Sequence, residues 1–127
     1  MKNNSLNSFF LDNFSKHGNK TALTFFRGDS IETEISYKEL IQDSNSMAGA
    51  LIDLGIEKGD RVILYLDKSV SFVIAHLALQ RLGAVTVPLN PGFKKNEMSY
   101  FIKDTEAKLI LSGINHDKII KEINPKI

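Results

Sequence analysis

Few side chains in this sequence are placed to do chemistry, and the densest group of them is Asn90-Pro91-Gly92-Phe93-Lys94-Lys95. A proline-bounded glycine turn offers backbone amides, Phe93 offers an aromatic face, and Lys94 and Lys95 add two ammonium groups that suit phosphate oxygens. Just upstream, Leu79-Gln80-Arg81-Leu82-Gly83-Ala84-Val85-Thr86-Val87-Pro88-Leu89 reads as the end of a buried helix, a glycine stop and a short strand. The loop therefore falls at the carboxyl end of a parallel strand, where open α/β sheets bind ligands. The same six residues also suit a plain turn into a solvated helix start. A basic pair at a helix N-terminus opposes the helix dipole, which is mildly unfavourable unless an anion sits there.

The remaining chemical groups are scattered. His76 stands among Val73, Ala75, Leu77 and Leu79 on a helix and reads as a core or half-buried histidine, since helical spacing puts no carboxylate, serine or second histidine beside it. His17 and His116 fall in loops, so the three histidines make no metal site. The eight glycines punctuate turns singly and form neither a Walker loop nor a Gly-x-Gly-x-x-Gly at a strand-to-helix junction. No catalytic residue is assigned. Lysines and arginines at 58, 61 and 68, and at 103, 108, 118, 121 and 126, alternate with acidic residues and read as solvated faces. Asn-x-Ser occurs at Asn3 and Asn13, a pattern without meaning in a protein that is not secreted.

The elements that must position the loop follow from periodicity and punctuation. Leu6, Phe9, Phe10 and Phe14 give an N-terminal helix an apolar face, ending near Gly18. Thr21–Phe26 and Ile31–Ser36 are β-rich and joined by Arg27-Gly28-Asp29, which reads as a hairpin turn and not as an adhesion tripeptide. Ser36-Tyr37-Lys38-Glu39 has capping-box spacing and starts a helix whose apolar face is Leu40, Met47, Ala48, Leu51 and Leu54, with Gly55 as its left-handed end. After Gly59-Asp60, the run Arg61–Leu66 reads as a strand buried on both faces, the mark of a parallel sheet. Asp67 or Ser69 caps the next helix, apolar nearly all round and the expected central buried element, which stops at Gly83. Val85–Leu89 is strand, Met98, Phe101 and Ile102 mark a helix, Lys108–Ser112 is strand, and Ile119, Ile120 and Ile123 close with a helix. The order predicts an α/β fold: a three-layer α/β sandwich with a mostly parallel sheet, alternating strands and helices, plus an N-terminal helix and β-hairpin.

Bulk properties narrow the partners. The chain has 127 residues, 43% hydrophobic and 24% charged, which is enough for one globular domain with its own core. A net charge of +1 gives no field directed at nucleic acid or anionic lipid. The absence of cysteine and of a signal-peptide core fits a cytoplasmic protein, and the densest apolar stretch, Phe72–Leu79, is far shorter than the roughly 20 residues of a membrane span.

Three stretches, Gly83-Ala84-Val85-Thr86-Val87-Pro88-Leu89-Asn90-Pro91, Ile35-Ser36-Tyr37-Lys38-Glu39-Leu40 and Lys58-Gly59-Asp60-Arg61-Val62, together resemble the opening segment of the adenylate-forming enzymes, in their acyl-CoA synthetase branch. The resemblance spans nearly the whole chain and implies the N-terminal subdomain of a larger ATP-dependent acid–CoA ligase, most like fatty-acyl or aryl-acid ligases. It implies ATP, Mg²⁺ and CoA as cofactors and a small-molecule carboxylic acid as substrate. The family's Ser/Thr/Gly-rich phosphate loop ending in Pro-Lys-Gly, its adenine segment, ribose-binding aspartate and catalytic lysine have no counterpart here. The chain by itself is then expected to look truncated, to be structural and inactive, and to bind none of these cofactors tightly. In the family the equivalent of the 90–95 loop lies near the nucleotide end of CoA, which makes Pro91, Gly92, Phe93, Lys94 and Lys95 the expected cofactor-binding residues. Faces left for the rest of such an enzyme would favour a homodimer, with the last strand as an unpaired edge. The alternative is a stand-alone α/β binding or oligomerisation module that lacks an active site; a reading frame continuing into a Pro-Lys-Gly loop separates the two. A response-regulator receiver fails for want of an acidic pair after the first strand.

Overall fold

The computed structural model describes the backbone from Leu6 to Ile127 and side chains from Ser8 onward; the Leu6 side chain and the Asn3 acceptor lie outside the described residues. The elements are α1 (Leu6–Lys16), β1 (Thr21–Arg27), β2 (Ser30–Ser36), α2 (Tyr37–Asp53), β3 (Arg61–Tyr65), α3 (Val70–Leu82), β4 (Val85–Pro88), α4 (Lys95–Thr105), β5 (Leu109–Ser112), a 3-10 turn (Ile114–His116) and α5 (Asp117–Ile123). The predicted alternation is present in full. Its boundaries move by a residue or two, as frayed ends usually do.

Local chemistry explains the starts and stops. Ser36 Oγ accepts from the Glu39 N–H at 3.1 Å while the Glu39 carboxylate accepts from the Ser36 N–H at 3.3 Å, closing a capping box on α2. Ser69, not Asp67, caps α3, its Oγ accepting from Phe72 N–H at 3.1 Å. Gly83 ends α3 at φ 72, a left-handed conformation that side chains other than glycine's resist. Gly28 occupies the first loop position of the hairpin at φ 62.

The sheet has the order β4-β3-β5, every pair parallel, while β1 and β2 form a separate antiparallel ribbon. Alternate residues of β3 face opposite layers. Val62 and Leu64 pack with Ala48, Leu51 and Ile56 of the α2 region and with Ala75, Ala78 and Leu79 of α3. Ile63 and Tyr65 pack with Met98 and Ala107, backed by Ile102, Ile119, Ile120 and Ile123 of α4 and α5. Two helical layers thus enclose the sheet, the three-layer arrangement predicted. The β3–β4 crossover through α3 and the β4–β5 crossover through α4 run in opposite lateral directions over opposite faces, so both have the same hand.

Three expectations are corrected. The central buried element is β3, whose Val62, Ile63, Leu64 and Tyr65 are each 0% exposed; α3 is an outer helix that buries only Ala75, Ala78 and Leu79. His76 is accordingly exposed, turned about 100° round the helix from Ala75. Leu54 is 62% exposed because it is the C-cap of α2 and no longer on the helix face.

Two cations read as solvated are structural at the opposite, amino edge of the sheet. Lys108 Nζ donates to the Gly55 carbonyl at 2.5 Å and to Asp60 Oδ2 at 3.1 Å, and Arg61 donates to the Thr105 carbonyl at 2.8 Å. Asp60 Oδ2 also accepts from the Glu57 N–H at 2.7 Å. That backbone bond, then Lys108, holds the Asp60 carboxyl below its usual pKa.

Candidate functional site at the carboxyl edge of the sheet

Because β4, β3 and β5 are parallel, the segments that leave them all emerge at one edge. The chain after β3 turns to α3 on one face, and the chain after β4 turns to α4 on the other. The topological switch point lies between β3 and β5, whose following helices α3 and α5 also lie on opposite faces. Open α/β sheets form a crevice there, and the loop after β4 reaches it through Tyr65 and His116. Residues 90–95 form that loop.

The loop is built first by its own short-range bonds. Asn90 Oδ1 accepts from Gly92 N–H at 2.8 Å, and the Asn90 carbonyl accepts from Phe93 N–H at 3.0 Å, giving an asparagine-led turn. A Cβ on Gly92 would lie 3.2 Å from Asn90 Oδ1, so the turn is tight against that side chain. Lys94 N–H donates to Glu97 Oε2 at 3.0 Å as α4 begins. Upstream, Leu89 N–H bonds the Leu64 carbonyl at 3.0 Å, carrying the parallel ladder one residue past β4.

Long-range bonds from the other two strands then reach the same loop. Tyr65, the last residue of β3, donates its hydroxyl to the Phe93 carbonyl at 2.5 Å. His116, in the 3-10 turn after β5, has Nε2 2.8 Å from the Pro91 carbonyl. The two rings lie against each other with centroids 4.0 Å apart and planes tilted by 36°. Both residues are buried, His116 at 6% exposure. Burial, followed by the nearby Glu97 carboxylate, pushes the Tyr65 phenol above its ordinary pKa, so it stays a donor. Asn115 Nδ2 donates to Asp67 Oδ2 at 2.9 Å, pinning the 3-10 turn to the chain leaving β3.

Each expected site residue can now be placed. Pro91 is half-buried through its contact with His116, and Gly92 is exposed. Phe93 is half-buried with its ring stacked on Phe101 at 5.4 Å and 11°, so most of its aromatic face is already engaged inside the fold. Lys94 and Lys95 are exposed, and neither forms an ion pair among the described residues. The anion wanted at this basic helix start is supplied by Glu97. What the edge can offer a ligand is therefore cationic: two ammonium groups fit for phosphate oxygens, since the Gly92, Phe93 and Lys94 amides are already bonded within the loop.

Tyr65 and His116 were not singled out from sequence as site residues. Tyr65 carried a signal, a hydroxyl at the end of an otherwise apolar, doubly buried strand; His116 carried none, being one of three scattered histidines. Among the described residues no cluster of His, Cys, Asp and Glu could hold a metal ion, and no helix is long and apolar enough to cross a membrane.

The fold is an α/β unit with a parallel sheet between two helical layers, and comparison with known proteins identifies its family. The sequence pattern of the family described as AMP-binding enzyme matches residues 10–126, and the chain belongs to that family. It is 32% identical over 108 residues to the crotonobetaine/carnitine–CoA ligase of Salmonella paratyphi C, covering 85% of this chain and 21% of that protein. The structure of the anthranilate CoA ligase AuaEII in complex with anthranoyl-AMP superposes with a TM-score of 0.84 at 25% identity, over 98% of this chain and 23% of that one. The inhibitor-bound N-terminal domain of FACL13 from Mycobacterium tuberculosis gives a TM-score of 0.85 at 26% identity, over 99% of this chain and 30% of that domain. The fold is thus that of the N-terminal part of acyl-CoA ligases, and the chain spans about a fifth of the length of the curated relatives it matches.

Proposed function

We propose that residues 1–127 form a single domain, the N-terminal subdomain of an ATP- and Mg²⁺-dependent acid–CoA ligase. Such an enzyme joins a carboxylic acid to AMP with loss of pyrophosphate and then passes the acyl group to CoA. The observation that carries this reading is the superposition, over nearly the whole chain, on a CoA ligase holding an acyl-adenylate. Within that enzyme the described residues supply architecture: a parallel sheet, its two helical layers and an ordered rim at the carboxyl edge. The Pro91–Lys95 loop is the rim for CoA, with Lys94 and Lys95 toward phosphate oxygens. ATP chemistry needs groups that stabilise charge developing on phosphate, and this chain offers no phosphate loop or catalytic lysine for it. Alone, the chain therefore binds the cofactors weakly and turns over no substrate.

The setting is cytoplasmic, and the chain self-associates as a two-fold homodimer. Support for association comes from exposed apolar groups, notably Phe9 at 61% and the cross-strand pair Phe26 and Ile31 at 63% and 56%, and from the outer edge of β5.

Acid-dependent ATP–pyrophosphate exchange tests the assignment. The complete gene product, offered a panel of fatty and aryl acids, exchanges label with at least one of them, and the 127-residue chain with none. In the complete product Lys94→Ala combined with Lys95→Ala raises KM for CoA more than KM for ATP. Failure of the complete product with every acid removes the ligase reading; exchange by the chain alone shows that catalysis lies in this segment.

A further inference from the structure

We infer that Tyr65 and His116 are positioning residues that latch the 90–95 loop to the sheet by two of its main-chain carbonyls. The latch is a property of the described residues; its use, holding the loop ready for CoA phosphates, rests on the ligase reading above.

The loop's local bonds fix its shape but not its seat. The Asn90–Gly92, Asn90–Phe93 and Lys94–Glu97 bonds all lie within eight consecutive residues, so the turn they make would survive a hinge at either end. Tyr65 reaches Phe93 across 28 residues of sequence, and His116 reaches Pro91 across 25. One side chain comes from the end of the middle strand β3, the other from the 3-10 turn after the outer strand β5. Together they tie the loop following β4 to the ends of both β3 and β5. Pro91 has no N–H, so its carbonyl is the only main-chain group it can use to anchor itself, and that group goes to His116.

The histidine's chemistry supports a positioning role over simple packing. A carbonyl only accepts, so Nε2 must carry the hydrogen and donate it. In the neutral ring Nδ1 is then an acceptor, and it is buried with no partner among the described residues. Leaving a buried acceptor unsatisfied is unfavourable. An apolar ring of similar shape would fill the space against Tyr65 without that penalty; what the imidazole adds is the bond to Pro91. The phenol adds the bond to Phe93 in the same way, and the contact between the rings fixes both donors at once.

Amide-resolved hydrogen exchange and ring ¹⁵N spectra test the latch on the 127-residue chain. The His116 ring shows its hydrogen on Nε2. In Tyr65→Phe and in His116→Ala the Gly92 and Phe93 amides exchange about tenfold faster while Ile63 and Leu64 of β3 keep their protection. His116→Gln, which presents an amide N–H near the position of Nε2, recovers part of the loss. Tyr65→Phe removes only a hydroxyl, so it remains informative if His116→Ala unfolds. A ring hydrogen on Nδ1, unchanged loop exchange in Tyr65→Phe, or loop and β3 amides accelerating by the same factor would each overturn the latch. In the complete gene product Tyr65→Phe raises KM for CoA more than KM for ATP. Faster loop exchange with KM for CoA unchanged would keep the latch and remove CoA as the loop's ligand, which separates the two readings.

Discussion

Leu79→Ala probes the layer that α3 makes with the sheet. Leu79 is 0% exposed and sits in the cluster formed by Ala48, Leu51, Val62, Leu64, Ala75 and Ala78. The substitution removes three carbons, worth about 2.4 kcal/mol at about 0.8 kcal/mol per buried methylene. Relaxation would have to come from a doubly buried strand and from alanines already too short to fill the space, so a cavity term adds to this. The total should reach about 3 to 5 kcal/mol, the range of unrelaxed leucine-to-alanine changes. Against a whole stability of roughly 5 to 15 kcal/mol, that is enough to leave a substantial unfolded population. Urea denaturation followed by circular dichroism measures it, provided the slope with denaturant is unchanged. His76→Ala, on the exposed side of the same helix, is the control and should fall within about 0.5 kcal/mol of wild type. A Leu79→Ala loss below about 0.5 kcal/mol would mean that the packing of α3 on β3 is wrong.

Other expectations follow from single contacts. Asp60, its carboxyl pKa lowered by the Glu57 amide and Lys108, adds stability that is present above the ordinary carboxylate range and lost as pH falls through the lowered value; Asp60→Asn should flatten that part of the acid limb of a urea-midpoint profile. Tyr65, raised by burial, adds stability that is complete below about pH 10 and lost as pH climbs through its folded value; phenolate absorbance should show a late-titrating phase that Tyr65→Phe abolishes. Gly83→Ala should destabilise by about 1 to 2 kcal/mol in thermal or urea unfolding, because φ is 72 there. The added Cβ would stand 3.0 Å from Lys58 Cγ, a flexible side chain that can move aside, so a loss much above that range would point to a second cause. Sedimentation velocity across a concentration series should show a monomer–dimer shift, reduced by Phe26→Ser with Ile31→Ser; a strictly monomeric chain refutes the homodimer.

How much of this was legible in the sequence depends on the range of the interaction involved. The capping box of Ser36 and Glu39, the Gly28 turn and the Gly83 stop each involve residues a few positions apart, and all are present in the structure. The layer order was also legible, because Arg61–Tyr65 is too uniformly apolar to have a wet face. Long-range polar bonds were not. Lys108 looks like any surface lysine until β5 lies beside β3 and brings its ammonium to the last carbonyl after α2. His116 looks like a loop histidine until the order β4-β3-β5 brings the segments following both outer strands to the middle one. His76, by contrast, was misjudged for a local reason: an almost wholly apolar helix gives periodicity little to work with, and only packing on Val62 and Leu64 selects the line of Ala75, Ala78 and Leu79.

The start of α4 shows how the structure changes the weight of a sequence argument. Two lysines beside the positive end of a helix suggested a missing anion, and the Glu97 carboxylate, accepting the Lys94 N–H at 3.0 Å, provides one internally. Dipole compensation therefore no longer requires a ligand. What remains unexplained by a plain turn is the bonding of two of its carbonyls by buried polar side chains, one at the end of β3 and one in the 3-10 turn after β5. Solvent would satisfy exposed loop carbonyls at no cost in desolvated phenol or imidazole. Holding them from within makes sense where the loop's exact seat on the sheet matters, and that is the property a phosphate rim would need.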